Sequence, residues 1–153
     1  MKSVQKSVLI WYSAGEMFRL VADVPSYPAF LPWCSHAKVL AEDADGMTAE
    51  VGIHFSGLRQ SFTTRNTHHG TDRIHLQLVD GPFSRLDGEW RFVTLGPTTD
   101  AADVTTSRAC RVELQLNYGF DNAALAMLVG PVFDKIAGSL VDAFVKRAEQ
   151  VYG

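Results

Sequence analysis

The chain has 153 residues, of which 46% are hydrophobic and 20% are charged, a composition typical of a globular domain rather than of a disordered or fibrous protein. Its net charge of −3 argues against a general affinity for nucleic acid phosphates, so we expect no DNA partner. The length predicts one domain spanning residues 1–153.

The first 34 residues predict a strand, two short helices and a rigid connector. The apolar run QKSVLIWY ends before Ser13, and Ser13 followed by Glu16 is a capping-box pattern that predicts the start of a helix. The stretch from Asp23 to Cys34, DVPSYPAFLPWC, then holds three prolines, which exclude a long helix and a position inside a sheet. We therefore expect a shaped connector that is rich in aromatic side chains.

After the connector, apolar residues recur with a period of two, which is typical of strands with one buried face. Turn signals interrupt this pattern at regular intervals, and they are DADG (43–46), SG (56–57), HHGT (68–71), DGPF (80–83) and LGPTTD (95–100). The pattern predicts six antiparallel strands that have an apolar inner face and a polar outer face.

From residue 122 to residue 152 the apolar period becomes helical, which predicts a long C-terminal helix. Gly130-Pro131 should kink or interrupt it and leave a main helix of roughly 20 residues. The apolar run Ala123 to Phe133 is shorter than the roughly 18–20 residues that span a bilayer. The opening apolar run is too short for a secretion signal. We therefore expect a cytoplasmic protein that could touch the inner face of the membrane.

A sheet of seven strands is roughly 30 Å wide, whereas one helix with its side chains is about 10–12 Å across. The sheet must therefore curl around the helix, and the space left between them should be an apolar cavity. An open alternative is that the connector aromatics plug a solid core. The residues that we expect to line the cavity are Tyr27, Phe30, Leu31, Trp33, Phe55, Phe62, Leu76, Leu78, Phe83, Leu86, Trp90, Phe92, Leu114, Leu116, Tyr118, Leu125, Leu128, Val132, Phe133, Ile136 and Leu140.

Several blocks of the sequence carry a resemblance to a known family, most specifically YPAFLPWC (27–34) and VDGPF (79–83). With CRVELQLNYGF (110–120), they resemble the START-like polyketide cyclase/dehydrase family, in the bacterial branch that includes coenzyme-Q-binding proteins and RatA-type ribosome association toxins. The resemblance implies an α+β helix-grip fold, in which a curved antiparallel seven-stranded sheet wraps around a long C-terminal helix.

The resemblance also implies a function, which is the binding of ubiquinone or a related polyprenyl lipid by a non-catalytic carrier or chaperone in respiration. Such a ligand needs an apolar groove for its tail and one or two hydrogen bonds for its head. The candidate polar groups near the rim are Tyr27, Trp33, Ser35, His36 and Tyr118. Each of them could equally be satisfied within the protein.

The same branch offers an alternative, which is a toxin that binds the 50S ribosomal subunit and blocks subunit association. That function needs a surface that suits RNA or ribosomal protein. The outer face of the predicted sheet mixes both charges, with Arg59, Arg65, Arg91 and Arg111 among Glu50, Glu89 and Glu113. Mixed charge is typical of a solvated face, so the residues themselves give this alternative little support.

The sequence predicts no enzyme, because the inward-facing positions are almost wholly apolar and offer no acid, base or nucleophile. Cys34 and His36 lie about 6–7 Å apart on one strand face, which suits a thiolate pair poorly. Cys34 and Cys110 make no CxxC spacing, so we expect buried free thiols. His68 and His69 fall at a hairpin tip where their side chains diverge. We therefore expect no catalytic residues, no metal site and no catalytic cofactor, and a ubiquinone-like lipid as ligand.

Overall fold

A computed structural model describes residues 2–55, 57–95 and 109–153. In chain order the elements are β1 (Lys2–Ile10), α1 (Ala14–Ala22), a 3₁₀ helix (Val24–Ala29), β2 (Cys34–Asp43), β3 (Gly46–Phe55), β4 (Leu58–His69), β5 (Arg73–Asp80), β6 (Phe83–Thr94), β7 (Cys110–Phe120) and α2 (Ala123–Tyr152). The seven strands form one antiparallel sheet in the order β1-β7-β6-β5-β4-β3-β2. The α+β fold class, the meander and the long C-terminal helix are confirmed.

The start of α1 is the predicted capping box. The Ser13 hydroxyl accepts a hydrogen bond from the Glu16 amide at 3.0 Å, and the Glu16 carboxylate accepts one from the Ser13 amide at 2.9 Å. Pro25 stands in the first turn of the 3₁₀ helix, where a missing amide hydrogen removes no internal bond. The connector is therefore a short 3₁₀ helix followed by an irregular segment, and the expected pair of short helices is present.

Four of the predicted turn signals coincide with the hairpins between consecutive strands from β2 to β6, although Ser56 itself lies outside the described residues. The fifth signal, LGPTTD, lies outside them from residue 96 onward. The DGPF turn needs its glycine, because Gly81 has a φ of +150° and a Cβ there would lie 2.7 Å from the Cβ of Phe62. The turn between β5 and β6 thus approaches the neighbouring strand β4 closely.

The long helix α2 runs through Pro131 without a break, so the expected interruption and the 20-residue length are wrong. Proline at 131 removes the hydrogen bond to the carbonyl of Met127. Met127 is 78% exposed, so water can bond to that carbonyl instead. At the start of α2, the Asn122 side chain accepts a hydrogen bond from the Leu125 amide at 2.9 Å. The helix therefore has 30 residues and a defined cap.

By length and apolar composition α2 is long enough to cross a membrane, the one such helix among the described residues. Core helices share these properties, and a third of its most apolar window is buried inside the fold. Contact with the inner face of a membrane therefore stays a prediction.

Two aromatic clusters hold α2 against the concave side of the sheet. Around Phe133, which we call the Phe133 cluster, ring centroids lie 4.7 Å away at Tyr118, 4.9 Å at Phe83 and 6.1 Å at Phe62. Around Phe144, the Phe144 cluster, they lie 5.3 Å away at Phe30, 5.3 Å at Trp90 and 5.6 Å at Tyr27. Phe133 reaches rings on β4, β6 and β7, which a single side chain can do only if the sheet curves around the helix.

Candidate ligand-binding cavity

A cavity of about 90 Å³ lies between the inner face of the sheet and α2. The helix contributes Phe133, Ile136, Leu140 and Phe144, which share one face of α2. The first and last of them belong to the two aromatic clusters, and they are eleven residues apart, or about 16 Å along the helix axis. The aromatic clusters therefore bound the cavity at both ends.

Eleven of the residues that the sequence predicted for the cavity line it. Three come from the connector, five from the sheet and three from α2, and they are Tyr27, Leu31, Trp33, Phe62, Leu76, Leu86, Trp90, Leu116, Phe133, Ile136 and Leu140. Whether they contact a ligand stays a prediction.

The other ten predicted residues do not line the cavity. Four are buried in the solid part of the core, and they are Phe83, Phe92, Leu114 and Tyr118. Four more pack partly buried against it, and they are Phe30, Leu78, Leu125 and Val132. Phe55 and Leu128 are a correction, because they lie on the surface with exposures of 37% and 65%. The apolar pattern of α2 begins before the helix reaches the sheet, since no residue from Ala123 to Leu128 is buried.

The sequence left open whether the connector borders a cavity or plugs a solid core, and each alternative is partly right. Leu31 and Trp33 are buried and border the cavity, so the connector closes one side of a real space. That space is smaller than typical ligand pockets, which measure roughly 300–1,000 Å³. In this conformation the cavity is therefore too small for a ligand of typical size.

The cavity contains a polar strip, which is the set Thr64, Asn66 and His68 on β4. The Thr64 hydroxyl donates a hydrogen bond of 2.6 Å to the side-chain oxygen of Asn66, and both residues are buried. The sequence prediction missed the strip because Phe62 is the one residue of this strand that it listed for the cavity. A signal was available, since Arg65 on the outer face requires its neighbours Thr64 and Asn66 to face inward.

His68 lies at the predicted hairpin, and it also borders the cavity, which the sequence did not predict. Its imidazole borders the cavity and stands edge-on to the ring of Phe18, with centroids 5.2 Å apart. The Nε2 atom is buried and has no hydrogen-bond partner among the residues that the structure describes. Burial lowers the pKa of His68, Arg65 lowers it further, and Glu42 opposes the shift. The imidazole is therefore neutral at pH 7, and the adjacent His69 is exposed on the other side of the strand.

Two of the predicted rim groups are engaged within the protein. The Tyr27 hydroxyl donates to the carbonyl oxygen of Val21, and burial raises the pKa of Tyr27. The Tyr118 hydroxyl donates to Asp134 at 2.6 Å, and burial together with that carboxylate raises the pKa of Tyr118. Both phenols thus have a partner already and carry no charge at neutral pH.

The remaining rim groups divide between the surface and the cavity. The His36 Nε2 atom lies at a hydrogen-bonding distance of 2.9 Å from a Glu50 carboxylate oxygen on the surface, and Ser35 is exposed beside it. Only Trp33 of this group borders the cavity and keeps its predicted position. Of the five candidates, Ser35 and His36 therefore lie away from the cavity, because the start of β2 exposes both side chains. Whether Tyr27 or Trp33 contacts a ligand stays a prediction.

The two cysteines are free and buried, as predicted. Burial raises the pKa of both Cys34 and Cys110 to about 11, so both are thiols at neutral pH. The Cys34 thiol donates to the carbonyl oxygen of His36 at 3.3 Å rather than to its ring. Among the described residues, no group of three His, Cys, Asp or Glu side chains is placed to hold a metal ion.

The outer face of the sheet carries mixed charge, as predicted. Its arginines pair with carboxylates on the same or a neighbouring strand, Arg65 with Asp43 at 2.8 Å and Arg91 with Glu89 at 2.8 Å. Arg59 is exposed near the β3–β4 turn. The local charge is therefore largely balanced, which gives little attraction for phosphate.

Comparison with known proteins shows where this fold and sequence recur. The family model described as polyketide cyclase/dehydrase and lipid transport matches residues 10–145. The ribosome association toxin RatA of Escherichia coli (strain K12) is 38% identical over 152 residues, which cover 99% of this chain and 90% of that protein.

More distant matches, one by sequence and one by structure, carry other activities in their names. The mitochondrial coenzyme Q-binding protein COQ10 homolog B of Xenopus laevis is 26% identical over 97% of this chain and 58% of that protein. The crystal structure of the Zhui aromatase/cyclase from Streptomyces sp. R1128 superimposes with a TM-score of 0.82 at 16% identity, covering 99% of this chain and 96% of that one. The last likeness shows the fold alone.

Proposed function

This chain belongs to the polyketide cyclase/dehydrase and lipid transport family, and we propose that it binds an apolar molecule between its sheet and α2 and acts as a carrier rather than an enzyme. The observation that supports this proposal is the cavity itself, whose wall is apolar except for Tyr27 and the polar strip. Apolar pockets with a few placed polar groups are the usual form of a small-molecule site.

The ligand class that we propose is a polyprenyl quinone such as ubiquinone. The coenzyme-Q-binding name of the Xenopus laevis relative supports this class. An apolar tail gains about 25 cal/mol for each Å² that it removes from water against residues such as Leu86 and Leu116. Because the cavity is only about 90 Å³ in this conformation, loading requires the connector or α2 to move outward.

The absence of suitable acid and base groups supports a carrier over an enzyme. Among the described residues that line the cavity, the titratable side chains are Tyr27 and His68. The hydroxyl of Tyr27 is held by the main chain of α1. A single neutral imidazole gives no acid and base pair of the kind that most cyclisations need.

The test of this proposal is extraction of the purified protein followed by mass spectrometry, together with binding of added quinone. We expect a co-purifying quinone, or binding of added quinone that Ala49→Leu abolishes by placing an isobutyl group in the cavity. The matched control is Ala41→Leu on the exposed part of β2, which should bind normally. A ligand-free extract and no binding by the unchanged protein would reject the carrier function.

A second candidate function is association with the large ribosomal subunit, and it is favoured by the 38% identity to RatA over nearly the whole chain. We propose it as the alternative, with subunit joining as the step that the protein would block. Either function would place the protein in the cytoplasm, and the carrier would also need contact with the inner face of the membrane.

Sucrose-gradient profiles test the second candidate. Added protein should reduce the fraction of joined ribosomes, and Arg59→Glu on the outer face should weaken the effect. Lys146→Glu is the matched control, because it reverses one exposed charge near the end of α2. An unchanged profile with the unmodified protein would reject this function and leave the carrier untouched.

A further inference from the structure

The inner surface of β4 differs from the rest of the cavity wall. Every second residue from Phe62 to His68 faces inward, and the last three of these four positions are polar. The Thr64 and Asn66 side chains hold one another through a 2.6 Å hydrogen bond, so their orientation is fixed before any ligand arrives. His68 extends the same row toward α1, where its ring meets Phe18.

The Nε2 atom of His68 is the one fully buried side-chain nitrogen or oxygen of this row that has no hydrogen-bond partner among the described residues. A buried polar atom without a partner destabilises a protein, because it loses its hydrogen bonds to water on folding and gains none in return. A leucine or phenylalanine would pack against Phe18 and Ile74 without that cost. Such exceptions call for an explanation outside the stability of the fold.

We propose that the polar strip recognises an oxygen atom of the ligand, with His68 Nε2 forming the hydrogen bond to a carbonyl or hydroxyl group of an otherwise apolar molecule that lies along α2. This inference rests on the proposed carrier function and names the chemistry that the carrier reads. Thr64 and Asn66 are positioning residues that shape the wall beside that oxygen.

A neutral imidazole suits both redox forms of a quinone. Nε2 donates a hydrogen bond when it carries the proton, and it accepts one in the other tautomer. A quinone carbonyl oxygen accepts such a bond, whereas a quinol hydroxyl donates one. Because partial burial lowers the pKa of the ring, the imidazole is mainly neutral at pH 7 and both options stay open. The strip therefore selects for an oxygen at the correct depth and does not select for oxidation state.

The experiment compares two probes of the same tail length, decylubiquinone, which carries ring oxygens, and decylbenzene, which carries none. Binding of decylubiquinone is followed by its quenching of the fluorescence of Trp33 and Trp90, which line the cavity. Binding of decylbenzene, which does not quench, is followed by its competition with decylubiquinone. The variants are His68→Leu and, as the matched control, His69→Leu at the exposed neighbouring position. We expect His68→Leu to weaken decylubiquinone binding about tenfold and to leave decylbenzene binding unchanged. His69→Leu should change neither, and His68→Gln should restore part of the quinone affinity.

Thermal unfolding of the free proteins separates recognition from a structural role. Because leucine removes an unpartnered buried atom, His68→Leu should unfold at the same or a higher temperature than the unchanged protein. A lower unfolding temperature together with equal loss of both probes would overturn the inference and make His68 a structural residue.

Two other outcomes distinguish this inference from the function on which it rests. If His68→Leu binds both probes like the unchanged protein, the inference is overturned and the carrier function stands. If the unchanged protein binds neither probe, the carrier function fails and the inference fails with it.

Discussion

The two faces of β4 carry polar side chains in alternation, but the fold treats them in opposite ways. On the outer face Arg65 reaches Asp43 at 2.8 Å and both remain open to water. On the inner face His68 buries a ring nitrogen that meets no partner among the described residues. Polar groups on the outer face are solvated and therefore replaceable, whereas a buried polar atom without a partner on the inner face opposes stability and needs a functional reason.

The largest expected effect comes from the apolar contacts between the inner face of the sheet and α2. Phe133→Ala removes the ring at the centre of the Phe133 cluster and should lower the free energy of unfolding by about 3–5 kcal/mol, as measured by urea denaturation. The control is Met127→Ala on the same helix, because Met127 is 78% exposed. Equal losses in the two variants would show that α2 does not divide into a buried and an exposed face.

Filling the cavity should act in the opposite direction. Ala49→Leu occupies space that the inner face leaves empty, and at roughly 24 cal/mol per Å³ the gain in unfolding free energy is at most about 2 kcal/mol. Ala41→Leu on the exposed strand position should give no gain, which thermal melting of both variants checks. A strong loss of stability in Ala49→Leu would mean that the cavity walls cannot accept a larger group.

The pH dependence of stability sharpens the contrast at His68 itself. The folded state lowers the pKa of this imidazole below its usual 6.5, so the unfolded chain binds the proton more readily. Stability should therefore fall as the pH decreases from about 6.5 toward the folded pKa, and it should level off below that pKa. Urea midpoints at pH 5 and pH 7.5 should differ less in His68→Leu than in His69→Leu. An identical pH dependence in the two variants would remove His68 as the cause.

The smallest expected effect belongs to the outer face. Arg91→Ala breaks the 2.8 Å ion pair between Arg91 and Glu89. Because the Arg91 side chain is 53% exposed, the free energy of unfolding should change by less than about 1 kcal/mol. The change should shrink further in 1 M salt, because exposed charges are screened. A loss as large as that of Phe133→Ala would contradict the description of this face as replaceable.

The sequence predicted the fold well because local signals agreed with one another. The capping box at Ser13, the turn at Gly81 and the alternation along the strands are each set by neighbouring residues. Pro131 was misread because proline disfavours a helix interior without always ending it, and here the carbonyl that loses its partner belongs to the exposed Met127.

The cavity was predictable only in part, since its outline depends on packing rather than on pattern. Alternation correctly turned Leu76, Leu86 and Leu116 inward, but it could not say where the core is solid, as at Leu114. His68 was missed for another reason, because it stands next to a turn signal and a histidine pair at a hairpin tip suggests solvent. Counting inward positions from Phe62 would have found it.

The separation between Phe133 and Phe144 limits the length of ligand that the cavity can hold. A chain that lies straight between the two rings has about 16 Å at its disposal, which is far less than the extended length of a long polyprenyl tail. Such a molecule would have to fold back on itself or leave past one of the rings, with its free end outside the protein. The part that protrudes would then be available to a membrane or to a second protein while the head stays inside.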